Sequence, residues 1–385
     1  MSCSKYLQEK LHLREKVRNI LQSAGADLRR VEVDGHARRR PRPCGMTVHV
    51  GIGCTNRCLY CYIQDMGFTF TNAKPYPLSG IELLYALLLN PYVVPGRLGT
   101  FMAFGSVTEP FLPNLAWRTL EYMKVISEYM GNPIQFSTKM YMPDQVLDEL
   151  RKIAISSSIS PLITIVTIKY SKILEPNASP PELRLETIRK LRSVGLKPVL
   201  FLRPIIPGIT DRELDDIIDE AKQAGAIGVV PGTLRVTKNI IYRLKRVGID
   251  VSEIIKRAPK IAEREQVPIR SSDLKMKAME IARERGLIVF PSSCCANAYV
   301  AEVPCAGLCY ITGNCIKCPN KCIEKLPRVD EDEVKEAIKL LEPRASIKEV
   351  SIEKLSIEVR LHKGKMRSSS IYVLELLTRR RLILR

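Results

Sequence analysis

Long apolar stretches are missing from this chain: no uninterrupted run reaches the roughly 18–20 residues that cross a bilayer, which excludes a membrane-spanning helix. The opening MSCSKYLQEKLHLREKVRNI alternates charged with apolar residues. It has neither the apolar block nor the small-residue cleavage site of a signal peptide, so the expected location is the cytoplasm, with no membrane partner. No repeat of solenoid period is present, which excludes stacked-repeat folds. Acidic residues are in deficit, 41 Asp+Glu against 60 Lys+Arg, for a net charge of +19. That excess favours polyanionic partners, RNA before duplex DNA, and equally describes a basic solvated surface; charge bears on association and not on reaction type.

Cysteine, by contrast, is abundant, at twelve in 385 residues. Structural disulfides are disfavoured in a reducing cytosol, so clustered cysteines there point to metal binding or catalysis. Three lie between Cys54 and Cys61 and seven between Cys294 and Cys322, while Cys3 and Cys44 stand apart.

Short apolar runs alternate with amphipathic stretches from Met46 to about Phe290. Strands are expected at Met46–Val50, Thr100–Phe104, Ile134–Ser137, Leu162–Thr167, Pro198–Leu202 and Gly228–Val230. Helical patterns separate them near Gly80–Leu89, Leu115–Met130, Pro143–Ile153, Pro181–Val194 and Asp211–Ala224, the last with Thr210-Asp211 as its N-cap. Strand, helix, strand with connections this long implies parallel pairing through right-handed crossovers. Six such units fit an α/β fold built as a partial (β/α)6 TIM-like barrel, with a doubly wound open sheet as the competing architecture. Helices at 252–263 and 272–285 and a short strand at 287–290 lead into the second cysteine group. The chain then divides into a basic extension (1–45), the barrel (46–290), a Cys-rich metal-binding segment (291–326) and a small basic C-terminal α+β module (327–385). In that module one helix precedes strands at 347–360 and 370–376. The run Arg38–Arg42 reads as a solvated linker or a phosphate-contacting arm.

The first cysteine group reads VHVGIGCTNRCLYCY, a Cys-x3-Cys-x2-Cys spacing directly after a strand. Three thiolates on one short loop can hold three irons of a cubane. With no fourth Cys or His in the loop, one iron stays open to a small ligand, as catalytic metal sites keep an open position. Gly51 and Gly53 permit the tight turn. A zinc site short of one ligand is the competing reading.

This spacing, with Tyr60 before the third cysteine, resembles the radical SAM superfamily. GSVTEP, STK, LEPNASPPELRLETIRKL and RPIIPGITD, in that order, look like its spore photoproduct lyase-like branch over about residues 46–235. The resemblance implies a [4Fe–4S] cluster on Cys54, Cys58 and Cys61, and S-adenosylmethionine (SAM) reductively cleaved to a 5′-deoxyadenosyl radical. It implies cofactor contacts from Gly105, Ser106 and Glu109 at the methionine amino group and from Lys139 at its carboxylate. Glu175 and Arg203 stand in the motifs after the fourth and fifth strands. It also implies a reductant such as ferredoxin or flavodoxin. The lyases carry a hydrogen-donating cysteine in the turn where this chain has Ser106 and Thr108. The likeness therefore covers radical generation and not thymine-dimer repair.

In the second group, Cys294-Cys295 precede Cys305-x3-Cys309-x5-Cys315-x2-Cys318-x3-Cys322, five cysteines in eighteen residues. A second metal site is expected, an auxiliary [4Fe–4S] cluster ahead of zinc. Its best quartet is Cys309, Cys315, Cys318 and Cys322, with Cys305 as the alternative ligand. The adjacent pair would be ligands, a radical-donating thiol or core thiols. The functional expectation is a radical SAM enzyme, catalytic residues unassigned, acting on RNA. The alternatives are an enzyme of proteins or small metabolites, or a non-catalytic metal-binding RNA-associated protein.

Overall fold

A computed structural model describes residues 2–42, 45–311 and 320–385. Strands of the two larger sheets and the longer helices are numbered in chain order. Seven strands form one parallel sheet: β1 (Met46–Val48), β2 (Met102–Phe104), β3 (Ile134–Thr138), β4 (Ile159–Thr164), β5 (Val199–Ile205), β6 (Gly228–Thr233) and β7 (Ile288–Val289). Their order across the sheet is their order along the chain. Each parallel step needs a crossover, and the crossovers carry α2 (Gly80–Leu89), α3 (Ala116–Met130), α4 (Asp144–Ile153), α5 (Pro181–Ser193) and α6 (Leu214–Gln223). The last crossover carries α7 (Lys238–Arg246) and α8 (Ser272–Glu284). A doubly wound sheet reverses its order at a central switch point; this one never does, so its helices stack on one face and the sheet curls. β1 and β7 remain the two edges, which makes a partial barrel.

Strand alternation sets the two faces. Met46, Val48, Phe104, Phe136, Ile163 and Leu200 pack against Leu83, Met123, Leu150, Ile188 and Ile217 of the helices. The intervening residues, Leu162, Val199 and Val230 among them, lie in a separate cluster on the concave face. Local chemistry fits these elements. Ser79 and Glu82 form a reciprocal capping box on α2, and Pro181 stands in the first turn of α5.

Beyond the barrel come α9 (Ser293–Ala301), α10 (Glu331–Leu341) and α11 (Ser368–Thr378), with a three-stranded sheet of β8 (Ser346–Ile352), β9 (Ser356–Lys363) and β10 (Arg381–Leu384). The N-terminal α1 (Cys3–Ser23) closes against this module: Cys3, Tyr6 and Leu7 share a core with Val334, Ile338, Val359 and Leu374. Cys3 is thus a packing residue, and Cys44 lies outside the described residues.

Several expectations are corrected. The sheet has seven strands and not six, because residues 287–290 supply β7, paired to β6 through Ile288–Gly228 and Val289–Val229. Residues 370–376 are helical: Val373, Leu374, Leu376 and Leu377 are buried at helical spacing, which overrides the strand preference of Ile371, Tyr372 and Val373. Thr210-Asp211 does not cap α6. Thr210 opens a separate 3-10 turn, and its Oγ1 accepts a hydrogen bond from the Ile206 N–H at 3.0 Å. The 252–263 helix ends at Arg257. Arg39 is no solvated linker residue, since it is half-buried with its Nη1 2.6 Å from His49 Nε2.

Candidate cluster and cofactor site

After β1 the chain makes a two-residue antiparallel pairing, Gly51–Ile52 with Lys74–Pro75, which holds the cysteine loop over the open end of the strands. Gly53 is obligatory here: its φ is +87°, and a Cβ would lie 2.1 Å from the Asn72 carbonyl oxygen. The loop is then pinned through its backbone. The Cys54 N–H donates to Thr69 O at 3.0 Å, Leu59 N–H to Leu174 O at 2.9 Å and Cys61 N–H to Cys58 O at 3.0 Å. Cys58 is buried, Cys54 and Cys61 are half-buried, and none of the three is in a disulfide. Burial pushes all three thiols above the ordinary cysteine range, so the charge of a bound metal is what would ionise them.

Two further strand ends meet this loop. Gly105, after β2, has φ +91°, and a Cβ there would stand 2.5 Å from the Ser137 carbonyl oxygen. Thr108 donates to Gly51 O at 2.8 Å, tying the β2 turn to the cysteine loop. Glu109 is buried and accepts from Thr138 Oγ1 at 2.6 Å, Lys139 N at 2.8 Å and Phe111 N at 3.2 Å. Burial raises its pKa against these hydrogen bonds. The Lys139 ammonium lies 5.7 Å from the centre of the Tyr60 ring and has no ion-pair partner among the described residues. Burial opposes its charge, but the neighbouring Cys58 and Glu175 outweigh it and raise its pKa.

Cys54, Cys58, Cys61, Gly105, Ser106, Glu109 and Lys139 all line one cleft, with about 480 Å³ of empty space out to its open mouth. Asn56 lines it too, and its buried Oδ1 has no hydrogen-bond partner. Among the described residues no three Cys, His, Asp or Glu groups surround a point the size of one ion. Donors spread around a cleft suit a cubane, which takes each thiolate on a different iron, better than a lone zinc.

Two expected cofactor residues do not line this cleft. Glu175 is wholly buried, 2.5 Å from Arg184 Nη1, and accepts a hydrogen bond from the Tyr60 hydroxyl. Arg203 is exposed, 6.0 Å from the centre of the Phe201 ring, with its side chain against Gly232. Cys305, Cys309 and Cys322 sit apart from the cleft, in and beside the core around Phe290 and α9; Cys315 and Cys318 lie outside the described residues.

Sequence reasoning missed Arg243. From α7 it donates to Leu59 O at 3.0 Å, Cys61 O at 2.5 Å and Gln64 Oε1 at 2.5 Å, clamping the cysteine loop from outside. Asp65 of the same loop accepts from Thr237 and Asn239 at 2.9 and 2.7 Å. The only signal was a basic amphipathic run, KNIIYRLKR, indistinguishable from any solvated helix. Arg379, in the basic C-terminal module, is fully buried and donates to Pro304 O at 3.0 Å.

Comparison with known proteins agrees with this geometry. Residues 48–221 match the model of the radical SAM superfamily. An uncharacterized protein of Acidianus two-tailed virus is 27% identical over 199 residues, covering 48% of this chain and 64% of that protein. A radical SAM Nalpha-GlyT isomerase of Pseudomonas phage M6 is 26% identical, covering 49% and 39%. The chain thus spans less than two thirds of either relative's length. Among solved structures, a spore photoproduct lyase variant aligns at TM-score 0.52 and 16% identity, covering 64% of this chain and 77% of that one. A second variant, with bound AdoMet and dinucleoside spore photoproduct, aligns at TM-score 0.51 and 15% identity, covering 72% and 94%. At such identity these structures speak to the fold. Among the described residues no helix is long and apolar enough to cross a membrane. The strand order, the cysteine loop on β1 and the matched segment agree: residues 48–221 form a radical SAM domain.

Proposed function

We propose that Cys54, Cys58 and Cys61 hold three irons of a [4Fe–4S] cluster and that the same cleft binds SAM, making the chain a radical SAM enzyme. When bound, the reduced cluster supplies the electron that cleaves SAM to methionine and a 5′-deoxyadenosyl radical. This chain's residues bind and orient. Lys139 holds the methionine carboxylate, the backbone around Gly105 and Ser106 receives its ammonium, and Asn56 Oδ1 offers a further acceptor. Glu109 braces the turns after β2 and β3, and Tyr60 fixes the cysteine loop against Glu175. The observation that carries the reading is an ammonium without a carboxylate partner in the cleft that three clustered thiols line.

The test is SAM affinity of anaerobically reconstituted protein. Lys139→Met should weaken binding by about tenfold or more, the loss of a charge-assisted contact of about 1.5–3 kcal/mol, with iron content unchanged. Unchanged affinity would remove Lys139 from the site.

For the substrate we propose a nucleic acid. Supporting this are the net charge of +19 and the dinucleoside photoproduct bound by a protein of similar fold. RNA is favoured over duplex DNA because a barrel mouth admits unpaired bases more readily. With Arg379 buried in the fold, the charge argument rests on Arg38, Arg40 and the other exposed basic residues. Retention of RNA that ignored salt would contradict it. A ferredoxin- or flavodoxin-type reductant, a second metal centre in 291–326 and the four-part division of the chain belong to the same proposal.

A further inference from the structure

The cleft leaves the C-terminal cysteines unused. α9 starts directly after β7 and carries Cys294 and Cys295 in its first turn, both buried. Ser292 Oγ is 2.9 Å from Cys294 Sγ and 3.3 Å from Cys295 Sγ. The chain leaves α9 through a left-handed residue, Glu302 (φ +57°), and returns Cys305 to the same place. There the Cys305 thiol is in hydrogen-bond contact with the thiols of Cys294, Cys295 and Cys309. Cys322 stands alongside, its sulfur accepting from the Cys305 N–H at 3.3 Å and from Asn320 Nδ2 at 3.2 Å. Packing alone explains neither the residue type nor the convergence. Alanine or valine fills such a core as well, and a thiol touching three others is an oxidation hazard unless something ligates it.

The location adds a second, independent observation. The Ser293 carbonyl accepts from Gln135 Nε2 at 2.5 Å, and α9 packs on β4 within the cluster that holds Leu162, Val199 and Val230. Gln135 and Leu162 face the concave side of the sheet. Two residues further along the same strands, on the same face, are Ser137 and Thr164, which line the cofactor cleft. Two residues of strand span about 7 Å. The thiol group therefore lies inside the barrel's curve, beneath the cleft, and not out on the C-terminal module.

We infer that Cys294, Cys295, Cys305 and Cys309 bind a thiolate-ligated iron–sulfur cluster on the floor of the barrel's concave face. This deepens the second-metal proposal: Cys309 of the expected quartet keeps its place, the alternative ligand Cys305 joins it, and α9 supplies the other two. Only its significance for substrate, not the metal itself, rests on the reading of the cleft above it.

The test uses the full chain with Cys54, Cys58 and Cys61 replaced by Ala, so that the first cluster cannot contribute. After anaerobic preparation this variant should retain one cluster, iron with matching sulfide, because no three of these thiols surround a point the size of one ion; zinc without sulfide would overturn the assignment. Adding Cys294→Ser and Cys295→Ser should cut the bound metal at least tenfold, whereas adding Cys3→Ser should leave it unchanged. Single serine variants guard against misfolding. Each should keep the wild-type circular dichroism while changing the visible thiolate-to-iron absorbance of the bound cluster. Full metal content in the double-serine variant, or no metal in the triple-alanine background, would overturn the assignment. If wild type and the triple-alanine chain carried equal metal, the first-cluster reading would fail and this one would stand.

Discussion

Replacing Arg184 should damage the protein's stability far more than its chemistry. The Arg184 and Glu175 side chains are both fully buried and 2.5 Å apart. Arg184 also donates to Ser179 O at 2.6 Å and Thr164 O at 3.0 Å, and Glu175 accepts from the Tyr60 hydroxyl inside the cysteine motif. Arg184→Met keeps the side-chain volume but strands a carboxylate in the core. Removing one partner of a buried pair costs roughly 3–5 kcal/mol, because the remaining charge loses its compensation. Neutralising both, as Glu175→Gln with Arg184→Met, should recover most of that loss, since replacing a whole buried pair is often neutral. The assay is the urea midpoint of the four chains of this cycle, followed through the barrel's transition under anaerobic conditions. A double variant as unstable as the Arg184 single, or a Glu175→Gln chain of normal stability that no longer binds SAM, would refute the reasoning and return Glu175 to the cofactor site.

Three other outcomes are expected. Gly105→Ala should prevent SAM binding and lower stability, because its φ is +91° and the new Cβ would meet the Ser137 carbonyl oxygen at 2.5 Å; an alanine variant with normal SAM affinity would show that the β2 turn can move aside. Arg243→Met should lose iron faster than wild type on dilution into chelator, as the Leu59 and Cys61 carbonyls lose their clamp; equal loss rates would make the clamp irrelevant to the cluster. Stability should fall with acid. Burial, and then the neighbouring Arg39, hold His49 down to about 3 against an ordinary 6.5. The unfolded chain thus takes up a proton that the folded one refuses, and stability declines as pH drops from about 6.5 toward 3. Asp34 adds to this below about pH 4: despite burial, hydrogen bonds from His36 and Tyr76 hold its carboxyl near 2. His49→Gln should flatten the upper part of that decline, and an unchanged slope would count against it.

Much of this was legible in the sequence, for identifiable reasons. The cysteine spacing on a short loop after β1 encodes its own chemistry, and the parallel barrel follows from alternating strand and helix periods. Glycine marked the turns whose backbone no other residue tolerates, at Gly53 and Gly105. The short strand at 287–290 was legible, but its place as the seventh strand of the sheet was not, because that is defined only by pairing with β6. Residues 370–376 misled because β-branched and aromatic side chains there are held in a helix by tertiary burial. Charge misled in a different way. Glu175, Arg379 and Arg39 look like solvent-facing or ligand-facing groups, yet each is absorbed into the fold by a partner over a hundred, seventy-five or ten residues away. Such pairings have no local signature, and Arg243 remained invisible for the same reason.

The most direct test of the central claim is the electron paramagnetic resonance spectrum of the dithionite-reduced, anaerobically reconstituted protein, recorded with and without SAM. A cluster with one iron left open by Cys54, Cys58 and Cys61 should change its spectrum when SAM is added, and the Cys54/Cys58/Cys61→Ala chain should lose that SAM-sensitive signal entirely. A spectrum indifferent to SAM, or a SAM-sensitive signal that survives the triple substitution, would contradict the account.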